Sequence, residues 1–262
     1  LKRLGVFSFI VMLLFTITAC ASSDSEDSKK EAMSEETKEE KKESSEEESE
    51  TAEDSSTEYE TCKGLLLSVS QEIEGDALAE CVVEAMLVQQ SGTQIVKNDS
   101  GITTIVDFQW VPHFSLSASN GEYSVILRGD TGWMQTLDGR WVQEDLNSTH
   151  PETKTANVVI QGFRTFVDPR FIGELLGKVS SWTVVGEKII PDKDAFTDVA
   201  WKLISDDVVD MEISTISDFE LYITNDYLVA YFAATGTMGD ISARNSNTFT
   251  QWGNEVDIPN PE

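Results

Sequence analysis

The groups in this sequence that could make or break bonds, or hold a metal, are three cysteines, two histidines and a large excess of carboxylates. The histidines are poorly placed for such work. His113 follows Pro112 between two alternating runs, and His150 precedes Pro151 in a polar loop; each reads as a plain loop residue. Two histidines cannot supply a three-His zinc site. No Gly-x-Ser-x-Gly elbow occurs, and Gly173 to Lys178 ends in Gly-Lys without the upstream glycine-rich cradle of a phosphate loop. Asp192, Asp194 and Asp198 could ligate calcium weakly but lack the glycine of an EF-type loop, and a solvated acidic loop is the simpler reading. With 47 Asp and Glu, a pair for acid–base work could be picked anywhere, so no pick is informative. The expectation is a protein that is not an enzyme, with no cofactor and no metal.

The chemistry the sequence does point to lies at Cys20. Lys2 and Arg3 give a basic start, and Val6 to Ile17 is apolar. That run is shorter than the roughly 20 residues a membrane-spanning helix needs, but it suits the apolar region of a secretory signal. Ile17-Thr18-Ala19-Cys20 resembles a bacterial lipobox. The resemblance implies that Cys20 becomes the mature N-terminus and carries acyl chains, holding the protein on the outer, extracytoplasmic face of the cell membrane. Cys62 and Cys81 then remain. An even remainder in an exported protein suggests one disulfide, the alternative being two thiols that never meet. The expected organisation is a signal peptide over 1–19, a lipidated Cys and acidic tether over 20–61, and a single domain over 62–262.

The formal charge is −28. The tether, residues 21–61, holds 17 Asp and Glu against 5 Lys, and residues 62–262 hold 30 against 12 Lys and Arg. Such a body repels phosphate backbones, which argues against nucleic acid as a partner. It gains nothing from anionic lipid surfaces, so attachment to the membrane must come from the acyl anchor. Ala21 to Thr61 is too poor in apolar residues to offset the entropy of ordering. As a flexible coil it spans about 35 Å.

Positioning elements can be read from the rest. Gly64 to Ile73 is apolar without clear period, either extended or helical. Asp76 to Gln90 reads as helix, with Leu78, Val82, Ala85 and Met86 on one face, Glu80 and Glu84 on another, and Ser91-Gly92 as its end. From Gly92 the period is two. Val106, Phe108 and Trp110, then Phe114, Leu116 and Ala118, then Tyr123, Val125 and Leu127 form apolar rows, with a hairpin signal at Asn120-Gly121. Gly129-Asp130 and Asp138-Gly139 mark further turns around Trp133 to Leu137 and Arg140 to Glu144. This is an antiparallel meander whose apolar face must be covered. Asp168-Pro169 starts a covering helix with Phe171, Ile172, Leu175 and Leu176 at helical spacing. Trp182 to Ile190 reads as a strand, and Phe196 to Ile204 as helix or strand. Phe219 to Ile223 and Leu228 to Phe232 are strands about a turn at Asn225-Asp226; Thr248 to Gly253 and Val256 to Ile258 form a last pair or one bent strand.

Three stretches together resemble a known group: GWMQTLDGRWVQEDL (Gly132 to Leu146), DPRFIGELL (Asp168 to Leu176) and NTFTQWGNEVDIPNP (Asn247 to Pro261). Their order and spacing are similar to the LppX/LprG group of actinobacterial envelope lipoproteins, whose fold is shared with carriers of the LolA/LolB type. The resemblance implies an α+β fold: a curled antiparallel sheet, an incomplete β-barrel, with helices packed over its concave face. It implies a hydrophobic cavity between them that holds a lipid or glycolipid for carriage or presentation in the cell envelope, with an envelope transporter or another protein as a further partner. The acidic tether and the Cys62/Cys81 pair depart from the group's pattern. The cavity candidates are Phe108, Trp110, Phe114, Leu116, Tyr123, Val125, Trp133, Phe171, Leu175, Leu221 and Phe232. For any one of them a filled core is the plainer reading. If the core is filled throughout, the chain is instead an acidic surface scaffold or adhesion lipoprotein with a protein partner.

Overall fold

Among the described residues, thirteen antiparallel strands form one sheet, and three α-helices pack on it. The structure is a computed structural model describing residues 59–186, 199–211 and 214–261. The expected Cys20 anchor, the signal peptide, most of the tether, Glu187 to Ile190, and Asp192, Asp194 and Asp198 lie outside the described residues.

In chain order the elements are β1 (Glu72–Glu74), α1 (Gly75–Gln89), β2 (Ser91–Asn98), β3 (Thr103–Gln109), β4 (Ser115–Ser119), β5 (Ser124–Arg128), β6 (Thr131–Gln135) and β7 (Trp141–Gln143). There follow α2 (Pro151–Phe166), α3 (Pro169–Lys178), β8 (Ser181–Val184), β9 (Val199–Ser205), β10 (Val209–Met211), β11 (Ser214–Thr224), β12 (Val229–Met238) and β13 (Ile241–Thr250). The strand order is β1-β8-β9-β11-β12-β13-β2-β3-β4-β5-β6-β7, with β10 paired to β11 off this path. The two end strands do not pair with each other, so the sheet is not closed into a barrel. Both ends are short strands, a common way to blunt an exposed edge. Register shifts in β11 between Ser217 and Glu220, and between Tyr222 and Ile223, bend the sheet. The fold is α+β, with one continuous core between the sheet's inner face and the helices.

The local causes are mostly visible. Asn120 Oδ1 accepts from the backbone N–H of Glu122 and Tyr123 at 2.9 and 3.1 Å, which closes the β4–β5 hairpin, and Gly121 supplies a φ of 87°. Asp168 caps α3 by accepting from the Arg170 N–H at 2.9 Å, with Pro169 at the first helical position. Gly173 lets α3 lie against α1, since a Cβ there would sit 2.4 Å from Val83 Cγ2. The Cys62–Cys81 disulfide is present and ties the first turn, Glu60–Cys62, to α1. Beside it Tyr59, Ala85 and Leu228 close a small apolar cluster.

In four segments the structure corrects or completes the expectation. The helix α2 is absent from the expected elements, yet it is the longest helix described. It is anchored by Arg164, which donates to the Gly129 carbonyl at 2.6 Å and to Glu144 Oε2 at 2.9 Å. Helix α1 ends one residue early, on Gln90 at φ 67°, and Ser91 and Gly92 already belong to β2. A Cβ on Gly92 would meet Phe108 Cζ at 2.9 Å, so this glycine serves aromatic packing rather than a turn. The ambiguous Phe196 to Ile204 resolves to strand over Val199–Ser205, because it pairs with β11. The last strand is β13, and Val256 to Ile258 form no ladder; the Arg128 guanidinium holds this tail through the Ile258 and Pro259 carbonyls.

Candidate binding cavity

Between the sheet and the α2–α3 pair lies a hollow of about 190 Å³. Its floor is built by strand alternation. Phe232, Ala234 and Gly236 on β12, Asn245, Asn247 and Phe249 on β13, Gln94 and Val96 on β2, and Thr104 and Val106 on β3 share one face, with Ile216 from β11 beside them. The register makes these neighbours: Phe232 pairs with Asn247, Asn247 with Val96, Phe249 with Gln94, and Gln94 with Val106. The roof is built by helical spacing, with Val159, Gly162, Phe163 and Phe166 from α2 and Phe171, Ile172 and Leu175 from α3. Tyr123 forms a side wall.

The hollow exists because several of the residues that line it are small. Ala234, Gly236 and Gly162 stand where large apolar side chains would meet across the gap. Aromatic rings frame it instead of filling it. Tyr123 meets Phe163 edge-on at 6.4 Å, and Phe166 meets Phe171 edge-on at 5.0 Å. One end is closed by the buried Phe249, Gln94 and Val106. At the other end Val96, Thr104, Ala234, Gly236, Asn245, Phe166 and Phe171 are only half-buried, so this end forms a lip. The wall is nearly free of charge; burial pushes the Tyr123 phenol up, with a smaller contribution from Glu122, so it is neutral at physiological pH.

Of the sequence candidates, Tyr123, Phe171, Leu175 and Phe232 meet around this hollow. Phe108 and Trp110 stack on each other at 4.7 Å beyond its closed end, where Trp252 joins them and stacks on Phe249 at 5.5 Å. Leu116, Val125 and Leu221 are fully buried core, and Phe114 packs half-buried against it. Trp133 falls on the other face, because its neighbours Gly132 and Met134 take the inner positions; a Cβ on Gly132 would meet Ile160 Cγ2 at 2.4 Å. The α2 lining and the polar floor residues Gln94, Asn245 and Asn247 are absent from the candidates. A signal for α2 was present: Ala156, Val159, Ile160, Phe163 and Val167 recur at helical spacing behind Pro151 and Glu152.

His113 and His150 are exposed, the latter at the N-cap of α2. Among the described residues no group of three His, Cys, Asp or Glu is placed to hold a metal ion.

No family model and no curated protein matches this sequence. Among solved structures the chain is similar to LprF from Mycobacterium bovis, at 16% identity and a TM-score of 0.46 over 71% of this chain and 96% of that one. It is similar also to the Mycobacterium tuberculosis lipoprotein LppX, at 14% identity and a TM-score of 0.45 over 71% and 98%. Both are mycobacterial lipoproteins of the LppX/LprG group.

Proposed function

We propose that this chain is a membrane-tethered carrier that holds the apolar part of a lipid or glycolipid between its sheet and α2–α3. The single observation that carries this reading is the hollow itself, walled by apolar side chains and half-open at one end. Its volume, about 190 Å³, exceeds that of the roughly 150 Å³ apolar cavity known to take up benzene. Each acyl methylene moved from water into such a site contributes about 0.8 kcal/mol. Acylation at Cys20 and the acidic tether would hold the domain near the membrane while leaving it free to reach a lipid donor or acceptor. Binding and release then suffice for the work, with no bond made or broken.

Native mass spectrometry of gently purified protein tests the reading. Adducts with lipid masses, lost on delipidation and regained from vesicles, are expected. A clean protein mass that takes up nothing from vesicles contradicts it. For the anchor, Cys20→Ala is expected to abolish incorporation of an acyl label, and label retained in that variant contradicts the lipobox reading.

A further inference from the structure

An apolar hollow made only to hold an alkyl chain needs no polar group at its closed end, yet this one has Gln94 there. The side chain is 4% exposed and lines the hollow. Its Nε2 donates to Asn247 Oδ1 at 2.8 Å, but its Oε1 is buried with no protein partner. The orientation of the pair follows from the next contact: Asn247 Nδ2 lies 3.5 Å from the Phe232 carbonyl and donates to it, so Asn247 presents its oxygen to Gln94. Gln94 is therefore left with a bare acceptor. Buried polar atoms in folded proteins are nearly always paired, and an unpaired one is costly, so an orphan at a cavity wall marks where a ligand donor belongs.

We infer that the ligand is a hydroxylated amphiphile: its acyl part carries a hydroxyl that donates to Gln94 Oε1 at the closed end of the hollow. This rests on the carrier reading above and narrows it. The floor supports the assignment. Asn245 and Asn247 lie two apart on β13 along the same face, so the polar row leads from the half-open end towards Gln94. A hydroxyl sliding inward thus passes amides before reaching the buried acceptor. Plain alkyl chains fit the same space but leave Oε1 unpaired. A ketone fits and leaves it unpaired too, because it brings a second acceptor and no donor.

The test titrates the full chain, freed of lipid, with octadecanoic acid, with octadecanoic acids bearing one hydroxyl at mid-chain or at the terminal carbon, and with their keto counterparts. Displacement of a fluorescent fatty acid gives the affinities. At least one hydroxy acid is expected to bind about tenfold more tightly than both octadecanoic acid and its own keto counterpart, the worth of one buried hydrogen bond. In Gln94→Met the ratio of hydroxy to keto affinity is expected to fall to about one. If hydroxy, keto and plain acids bind the parent alike, or if the preference survives in Gln94→Met, the inference is overturned and the carrier reading stands. If none of the acids binds the parent, both fall. Should Gln94→Met fail to fold, the hydroxy–keto comparison in the parent decides alone.

Discussion

Filling the hollow from the protein side should abolish carriage without harming the fold, and Ala234→Phe is the sharpest way to do so. Ala234 sits mid-strand in β12 with its side chain on the floor of the hollow, below α2 and α3. A benzene ring occupies an apolar cavity of about 150 Å³, so a phenyl group takes up most of the 190 Å³ found here. If that displaces about five methylenes of ligand at about 0.8 kcal/mol each, binding weakens by about 4 kcal/mol, roughly a thousandfold. Stability should be little changed, because the ring enters space the protein does not use; residual overpacking costs about 1 kcal/mol. The assay is displacement of a fluorescent fatty acid, with thermal unfolding as the control for folding. Thr235→Phe, one residue on and facing away from the hollow, should bind as the parent does. An Ala234→Phe protein that unfolds normally and binds within about threefold of the parent would refute the reasoning.

Three further outcomes follow from the same structure. Arg164→Ala should destabilise the domain by about 2 kcal/mol, since it removes mostly buried bonds to the Gly129 carbonyl and Glu144; it should also weaken acyl binding by loosening the roof, as urea unfolding and probe displacement will show. Replacing Cys62 and Cys81 by serine opens a loop of sequence separation 19 and should cost about 3 kcal/mol in urea unfolding, with probe affinity unchanged while the protein is folded, because neither residue lines the hollow. Asp207 accepts from the side chain and backbone N–H of Ser180 at 2.7 and 2.6 Å, which holds its carboxyl below the ordinary range. Its contribution is therefore present above the unfolded carboxyl pKa near 4 and is lost as pH falls through the lower folded value, so urea midpoints of Asp207→Asn and parent should differ at neutral pH and converge in acid.

The sheet was legible where one face is apolar and the turns are marked. Asn120-Gly121 and Asp138-Gly139 announce their hairpins, and the rows through Phe108, Leu116 and Val125 point inward as read. Period two does not say which inner positions meet a gap and which meet other side chains. Phe108 and Phe232 are alike in sequence terms, but Phe108 is packed among Trp110 and Trp252 while Phe232 borders the hollow. Trp133 misled because size suggested the inside, when Ile160 leaves room there only for Gly132. Helix α2 was hidden by its polar content: Thr153, Lys154, Thr155 and Asn157 mask a stripe that does recur at helical spacing. The polar floor could not be read locally at all. Gln94 and Asn247 stand 153 residues apart, and only the β13–β2 pairing brings them together.

The claim that most needs a direct test is that a foreign tail occupies the space between Phe232 on the sheet and Phe163 on α2. A crystal structure of the protein with a fatty acid brominated near its chain end would locate that tail by anomalous scattering. Bromine is expected inside the hollow, within van der Waals reach of Ala234 and Phe163. Bromine found only on the outer surface, with α2 and α3 collapsed onto the sheet and their own side chains filling the gap, would contradict the claim.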